Sequence, residues 1–438
     1  MQDKTESLIR KAENFYRRGA FERTEKICRR ILKTEADNCR VLTLLGNAYF
    51  CRRDYPGAMF CYQKIEKLCP DYVVNLINLA NVCFEEKQYS QAKGYAERAL
   101  LAEPENAAAL SLLGNALLNM KNYDEAITIL TRLLKLCPLD FWAANSLSQA
   151  WQKKNNWDEA FAAGWQAVEQ SGGEEAQQIN FGYLLYESTL EKQDSLLREY
   201  ALKWLEKYPD NQVAQHMGNA VLNRAVRPRA NDEYLKNIFD IFAPDFEQVL
   251  TGLDYRAPEL IRCLLEEIYG SKKSPRLRIL DAGCGTGFCG GFLKKYSSFR
   301  GLYGVDISEK MLEQAQAKKV YSHLLQSELE QYFSQAKTKF DLIVSADVFT
   351  YFGSLEKLLS GMADSLSAGG RVIFTVSENN LNDDDYFLHS SGRYLHHQNY
   401  VGKVLEKAGF EVEKLERAKL RNEGENIVYG YVVSALKK

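Results

Sequence analysis

An α-helical solenoid followed by an α/β domain is the fold class this sequence predicts. Two observations carry it. A 34-residue period runs through the first half of the chain. After residue 275 the pattern changes to short apolar runs alternating with helical stretches, and the first run ends in a glycine-rich loop. The 438 residues suffice for two or three domains of roughly 100–200 residues each.

The period rests on three independent series. Gly46, Ala80, Gly114 and Ser148 are one period apart, as are Tyr55, Tyr89, Tyr123 and Trp157, and Ala58, Ala92, Ala126 and Ala160. Ala12 and Phe21 extend the register backwards. Small residues let two helices approach closely, and the aromatic fills the gap at their turn. Pro70, Pro104 and Pro138, again one period apart, end the second helix of each pair. Repeats are expected at 5–38, 39–72, 73–106, 107–140 and 141–175. A looser sixth follows, with Gly182 in register and Pro209 three residues late, then a capping helix over 212–226. The pattern resembles the tetratricopeptide repeat (TPR). That resemblance implies a concave face where a protein or peptide partner binds. Asn47, Asn81 and Asn115 share one repeat position on that face, with Gln149 next in line. An amide both donates and accepts, so a row at repeat spacing suits a peptide backbone.

The composition narrows the function classes. Hydrophobic residues make up 46% and charged residues 26%, so the chain is globular. Net charge is −2, near balance on either side of residue 230. That lacks the basic excess nucleic-acid binding needs, so no nucleic-acid partner is expected. None of the ten cysteines forms a C-x-x-C pair, which removes zinc-ribbon and thioredoxin readings. Cys69 and Cys137, next to the repeat prolines, read as packing residues. No apolar run of about 18 residues occurs, and M-Q-D-K-T-E-S-L-I-R lacks an apolar leader core. A soluble cytoplasmic protein with no membrane partner is expected.

The repeat register breaks at R-P-R-A-N-D, residues 227–232, which reads as an exposed junction. Helical patterns fill the rest of 227–274, expected as linker and lid. Strands are expected at 277–280, 301–305, 340–345 and 371–376. Two alternating runs at 410–417 and 426–434, joined by a loop with Gly424, close the sheet as an antiparallel pair. Strand, glycine loop and helix together make a nucleotide site. By spacing alone the loop is ambiguous. Gly285, Gly287 and Gly290 spell G-x-G-x-x-G, and Asp306 follows Gly287 by 19 residues, which suits NAD.

Residues 278–287, R-I-L-D-A-G-C-G-T-G, resemble motif I of the class I S-adenosylmethionine (AdoMet)-dependent methyltransferases, a Rossmann-like fold, over roughly 275–438. The resemblance implies roles residue by residue. Asp281, Gly283, Cys284, Gly285 and Gly287 would line the methionine part of AdoMet. Asp306, with Ile307, would hold the ribose. Glu328 and Leu329 would meet the adenine, although Asp is commoner at the acidic position. Asp347, Tyr351 and Phe352 would sit beside the transferred methyl. The stretch from Asn231 to Leu260 and the later H-S-S-G-R-Y-L-H-H resemble a closer group, predicted bacterial methyltransferases that carry TPRs. In that group the first stretch lids the cofactor, and Asp240, Phe242, Phe246, Tyr255 and Arg256 stand at its recurring positions. Tyr255 is thereby a candidate substrate contact.

Methyl transfer needs a general base only when the nucleophile arrives protonated. His389, His396 and His397 cluster with Arg393 in one loop after the 371–376 strand. His396 is the leading candidate base or orienter, and Arg393 suits an acceptor's carboxylate. Adjacent histidines rarely converge on one ion, so no metal is expected, and the run Asp383–Asp385 reads as a solvated turn. The expected function is an AdoMet-dependent methyltransferase acting on a protein or peptide held by the repeats. The alternatives are a small-molecule methyltransferase whose repeats recruit partners, and a non-catalytic AdoMet-binding scaffold.

Overall fold

The structure is a computed structural model that describes residues 2–191, 194–224, 227–270, 275–423 and 426–438. The end of the expected capping helix at 225–226, the end of the expected lid at 271–274, and Gly424 lie outside the described residues. The chain divides into two compact units, Met1–Gln177 and Gln178–Lys438. No helix among the described residues is long and apolar enough to cross a membrane.

The first unit is a run of helical hairpins: α1 (Gln2–Arg17) with α2 (Phe21–Leu32), α3 (Cys39–Cys51) with α4 (Tyr55–Leu68), α5 (Val73–Glu85) with α6 (Tyr89–Ala102), α7 (Ala107–Asn119) with α8 (Tyr123–Leu136), and α9 (Phe141–Lys153) with α10 (Trp157–Gln170). The small residues of the period do pack the pairs. An added Cβ on Gly46 would lie 2.5 Å from the ring of buried Tyr62, and one on Gly114 would lie 2.7 Å from Leu130. Two further periodicities appear only in three dimensions. Gly19, Arg53, Lys87, Lys121 and Asn155, each one period apart, turn the hairpins with positive φ. The next residue's N–H reaches back to a carbonyl five residues before it, as Asp54 does to Tyr49 and Gln88 to Cys83, which satisfies the helix end. Lys64, Arg98, Arg132 and Gln166, also one period apart, donate to the carbonyls of Ala36, Pro70, Pro104 and Pro138. Each of these side chains closes the end of the preceding repeat.

The second unit opens within α11 (Glu175–Leu190), followed by α12 (Asp194–Lys207) and α13 (Gln212–Val221), then α14 (Asp232–Phe242), α15 (Phe246–Gly252) and α16 (Ala257–Tyr269). The α/β part follows: β1 (Leu277–Ala282), α17 (Gly290–Leu293), β2 (Ser297–Asp306), α18 (Glu309–Ala317), β3 (His323–Gln326), α19 (Leu329–Gln335), β4 (Phe340–Ser345), α20 (Glu356–Ser365) and β5 (Leu366–Ser377). A small hairpin, β6 (Tyr386–Leu388) and β7 (Tyr394–His396), precedes α21 (Gln398–Lys407), β8 (Phe410–Glu423) and β9 (Asn426–Lys437). The main sheet has the order β3-β2-β1-β4-β5-β9-β8; β1 to β5 pair in parallel, and β9 runs antiparallel to both neighbours. Both faces are buried, as a parallel sheet requires. Leu280, Ile343 and Phe374 point to the core under α19 to α21, and Ile279, Leu342 and Ile373 to the core under α16.

Three expectations are revised. The expected boundary at 226/227 moves to 177/178, because α11 and α13 are tied into the α/β part. His216 Nε2 lies 2.8 Å from the Gly392 carbonyl oxygen, and Tyr186 donates to Glu423 at 3.1 Å. The R-P-R-A-N-D segment is exposed at Arg227, Pro228 and Asp232, as expected of a junction, but its backbone is docked. Ala230 is fully buried and its N–H bonds the Tyr351 carbonyl, while the Pro228 carbonyl accepts from Gly353 and Ser354. The final hairpin is also longer than expected, reaching Glu423 and Lys437 instead of Arg417 and Ser434.

Gly46→Ala in the full chain is expected to cost about 1–2 kcal/mol, overpacking against Tyr62 outweighing the helix propensity gained. Urea unfolding of the first unit's transition measures this. A stabilised variant would show that Tyr62 does not set the helix spacing.

Candidate active site

The site grows from the ends of β1, β2 and β4. Past β1 the chain turns at Gly283, with φ +76°, where an added Cβ would meet Val348 at 2.3 Å. Only glycine fits both demands. The Gly285 N–H then donates to Asp306 Oδ2 at 2.8 Å, and the Ser308 N–H donates to Asp306 Oδ1 at 2.9 Å. Asp306 is buried, which pushes its carboxyl up, while those N–H groups oppose the rise. Asp281 is buried at the end of β1, accepts from the Tyr321 hydroxyl at 2.6 Å, and is pushed up by burial to about 7.

These groups face one cavity of about 150 Å³. Of the expected site residues, Asp281, Gly283, Cys284, Gly285, Asp306, Ile307, Glu328, Leu329, Asp347, Tyr351, Arg393 and Tyr255 line it. Its roof is Leu235 and Phe239 of α14 with Phe246 and Leu250 of α15. The roof is fastened at several points. Ser308 donates to Asp240 at 2.6 Å, and Thr286 to Glu247 at 2.6 Å, with Lys318 also on Glu247. The Arg256 N–H bonds the Leu420 carbonyl, and the Asn422 N–H bonds the Leu253 carbonyl. Phe242 packs on Tyr183, ring centroids 6.0 Å apart, rather than on the cavity.

At the β4 end lies a buried ionic network that sequence reasoning missed. Arg421 Nη1 reaches both oxygens of Asp347, at 3.0 and 2.9 Å, and its Nε reaches Glu423 at 3.0 Å. Arg393 pairs with Glu423, and its charge acts on the nearby Tyr351 hydroxyl. The two guanidiniums hold the Glu423 carboxyl down at about 2 against its burial. Asp347 itself has φ +57°, a conformation costly for a non-glycine residue, and its N–H is held by Thr375 Oγ1 at 2.9 Å. Arg421 lies in K-L-R-N-E, which reads as a polar turn until the pairing of β8 with β9 extends the strand through it.

Several expected roles are corrected. His396 does not line the cavity. It is fully buried between Tyr386 and Tyr400, with Nε2 on the Gly353 carbonyl at 3.1 Å, and burial depresses it to about 4. His389 bonds Ser391, and His397 caps α21. Gly287 is also outside the lining; with φ +84° it makes room for the Tyr321 ring. The Glu328 carboxylate caps α19 through the N–H groups of Glu330 and Gln331, one on each oxygen, and it still lines the cavity. The helix after the glycine loop is a single short turn, α17, and Gly290 at its start packs under Tyr321. In the first unit, Asn47 accepts from Tyr62 at 2.7 Å, while Asn115 donates to the Ser111 carbonyl and accepts from Ser146. Asn47 and Asn81 line a small cavity with Tyr16 and Tyr62.

A glycine loop between two buried carboxylates, on a sheet closed by an antiparallel β9 between β5 and β8, defines an α/β domain for a nucleoside cofactor. Residues 280–374 match the methyltransferase domain family, and residues 83–140 match the tetratricopeptide repeat family. The chain therefore carries a methyltransferase domain and TPRs, which sets the NAD reading aside. Methyltransferase-like protein 27 of Homo sapiens is 43% identical over 89 residues, 20% of this chain and 35% of that protein. Malonyl-[acyl-carrier protein] O-methyltransferase of Priestia megaterium is 26% identical over 151 residues, 34% of this chain and 53% of that protein. The chain thus spans about a third to a half of the length of these relatives. Among solved structures, magnesium protoporphyrin IX methyltransferase of Synechocystis PCC 6803 with bound SAH aligns at 18% identity and TM-score 0.39, over 48% of this chain and all of that one.

His396, depressed from 6.5 to about 4, resists protonation in the folded state. Its contribution is full above pH 6.5 and is lost as pH falls toward 4, about 2 kcal/mol of it by pH 5. Asp281 shifts stability the other way, so the comparison is with His396→Phe, in which that term is unchanged. Wild type is expected to lose about 2 kcal/mol more than the variant between pH 7 and pH 5 in urea unfolding. Equal losses would place His396 in a solvated setting.

Proposed function

We propose that the chain is an AdoMet-dependent methyltransferase whose acceptor is a protein held by the repeats. The observation that carries the first part is the single cavity joining Asp281, the glycine loop, Asp306 and Asp347. Its chemistry suits the cofactor. Asp281 is a buried carboxyl whose one side-chain hydrogen-bond partner among the described residues is a neutral phenol, Tyr321, so it favours an incoming ammonium. Each Asp306 oxygen takes one backbone N–H and keeps a lone pair for a ribose hydroxyl. Ile307, Leu329 and Met311 offer apolar walls to a flat base. When bound, AdoMet supplies an electrophilic methyl on a sulfonium with a good leaving group. The protein's part is alignment and exclusion of water, and the fastened roof of α14 and α15 suits both.

The second part rests on the repeats, whose stacked hairpins generally serve protein recognition. Asn81 is the amide best placed for it, because Asn47 and Asn115 already bond side chains of their own unit.

Asp306→Ala is expected to weaken AdoMet binding about 100-fold, from two lost charge-assisted bonds worth about 3 kcal/mol together. Calorimetry on the full chain measures it, with Asp306→Asn as the better-folded companion. Unchanged affinity in both variants would remove the cofactor assignment. For the acceptor, Asn81→Ala should reduce labelling of macromolecular product from radiolabelled AdoMet about five- to tenfold, roughly one hydrogen bond, with unfolding unchanged. Label confined to small metabolites would sink the protein-acceptor reading.

A further inference from the structure

The β4 end of the cavity is where an acceptor meets the methyl, and its side chains limit what that acceptor is. No histidine or lysine lines the cavity among the described residues. Asp347, the carboxylate nearest the reaction in this reading, has both oxygens on Arg421. The Tyr351 and Tyr255 hydroxyls are pushed up by burial and stay protonated. Cys284 and Cys289 are likewise raised by burial and stay neutral. Asp281, which stands near 7, belongs to the glycine loop at the cofactor's end. The acceptor end therefore presents no free base.

It presents donors instead. A guanidinium has five N–H donors in a planar fork. Arg393 uses part of its fork on Glu423, and it lines the cavity beside Tyr351. The network of Arg393, Arg421, Asp347 and Glu423 is itself charge-neutral. A cationic amine entering beside the sulfonium would meet repulsion and would still have a proton to lose. A hydroxyl would also have to lose one. A carboxylate is already ionised, compensates the sulfonium, and matches the fork of Arg393.

We propose, on the methyl-transfer reading above, that the acceptor group is a carboxylate, anchored by Arg393 and converted to a methyl ester. One carboxylate oxygen forms the new O–C bond as the C–S bond of the sulfonium breaks. The electron pair stays on sulfur as a neutral thioether, and no proton is released. The absence of a base is then a fit to the substrate.

The test uses the full chain, AdoMet labelled in the methyl group, and a soluble extract of the native cells as acceptor source, with AdoMet binding measured separately by calorimetry. Methyl esters release their label as volatile methanol in mild alkali. Most of the enzyme-dependent label is expected to be released. Label that survives alkali overturns the carboxylate proposal and leaves methyl transfer standing. Bound AdoMet with no enzyme-dependent label overturns both, as does failure to bind AdoMet. Arg393→Lys should lower the rate of alkali-labile labelling about tenfold, because charge is kept and the fork is lost. AdoMet affinity should stay within about threefold, since Arg393 touches the acceptor side. The pair Arg393→Gln with Glu423→Gln keeps the network neutral should a single variant misfold, and it should lose labelling about 100-fold. Unaltered labelling in the folded double variant would overturn the anchoring role.

Discussion

The second unit depends on one buried guanidinium. Arg421 is almost fully enclosed, and such a charge is tolerated only when paired and hydrogen-bonded. Asp347 and Glu423 satisfy it, and through them it joins parts distant in sequence: the end of β4, the tip of the β8–β9 hairpin, the loop carrying Arg393, and Tyr186 on α11. Removing any one partner leaves a charge stranded at low dielectric. This is why the cavity wall, the strained backbone of Asp347 and the helices α11 and α13 form one body.

The same economy runs through the first unit in a different form. There the recurring problem is the helix end, whose carbonyls have no partners within the helix. It is solved five times over by a left-handed residue at the turn, and at successive repeats by a donor from the neighbouring helix. Glycine, arginine, lysine and asparagine all fill the left-handed position. Their hydrogen-bonding context outweighs the modest steric cost.

Histidine shows why sequence reasoning misassigned the chemistry. Three histidines beside an arginine look reactive in one dimension. In the structure one is sealed among tyrosines, one bonds a serine, and one caps a helix. Burial and backbone satisfaction leave no local mark on the sequence. Arg393 from the same loop does reach the cavity, where Glu423 holds it.

By itself the sequence determined the repeat period, the small residues at each helix crossing, the six strands β1, β2, β4, β5, β8 and β9, and the loop at Gly283 and Gly285 with its two carboxylates. Those features are local or periodic, so each residue's neighbours follow from spacing alone. Only the tertiary structure decided that the helices after residue 178 belong with the α/β part, that Arg421 closes the cavity, and that His396 stands outside it. These depend on contacts across 30 to 240 residues, such as Arg393 with Glu423 and Tyr186 with Glu423, and on which side chains lose their water. Neither long-range pairing nor desolvation is encoded by spacing along the chain.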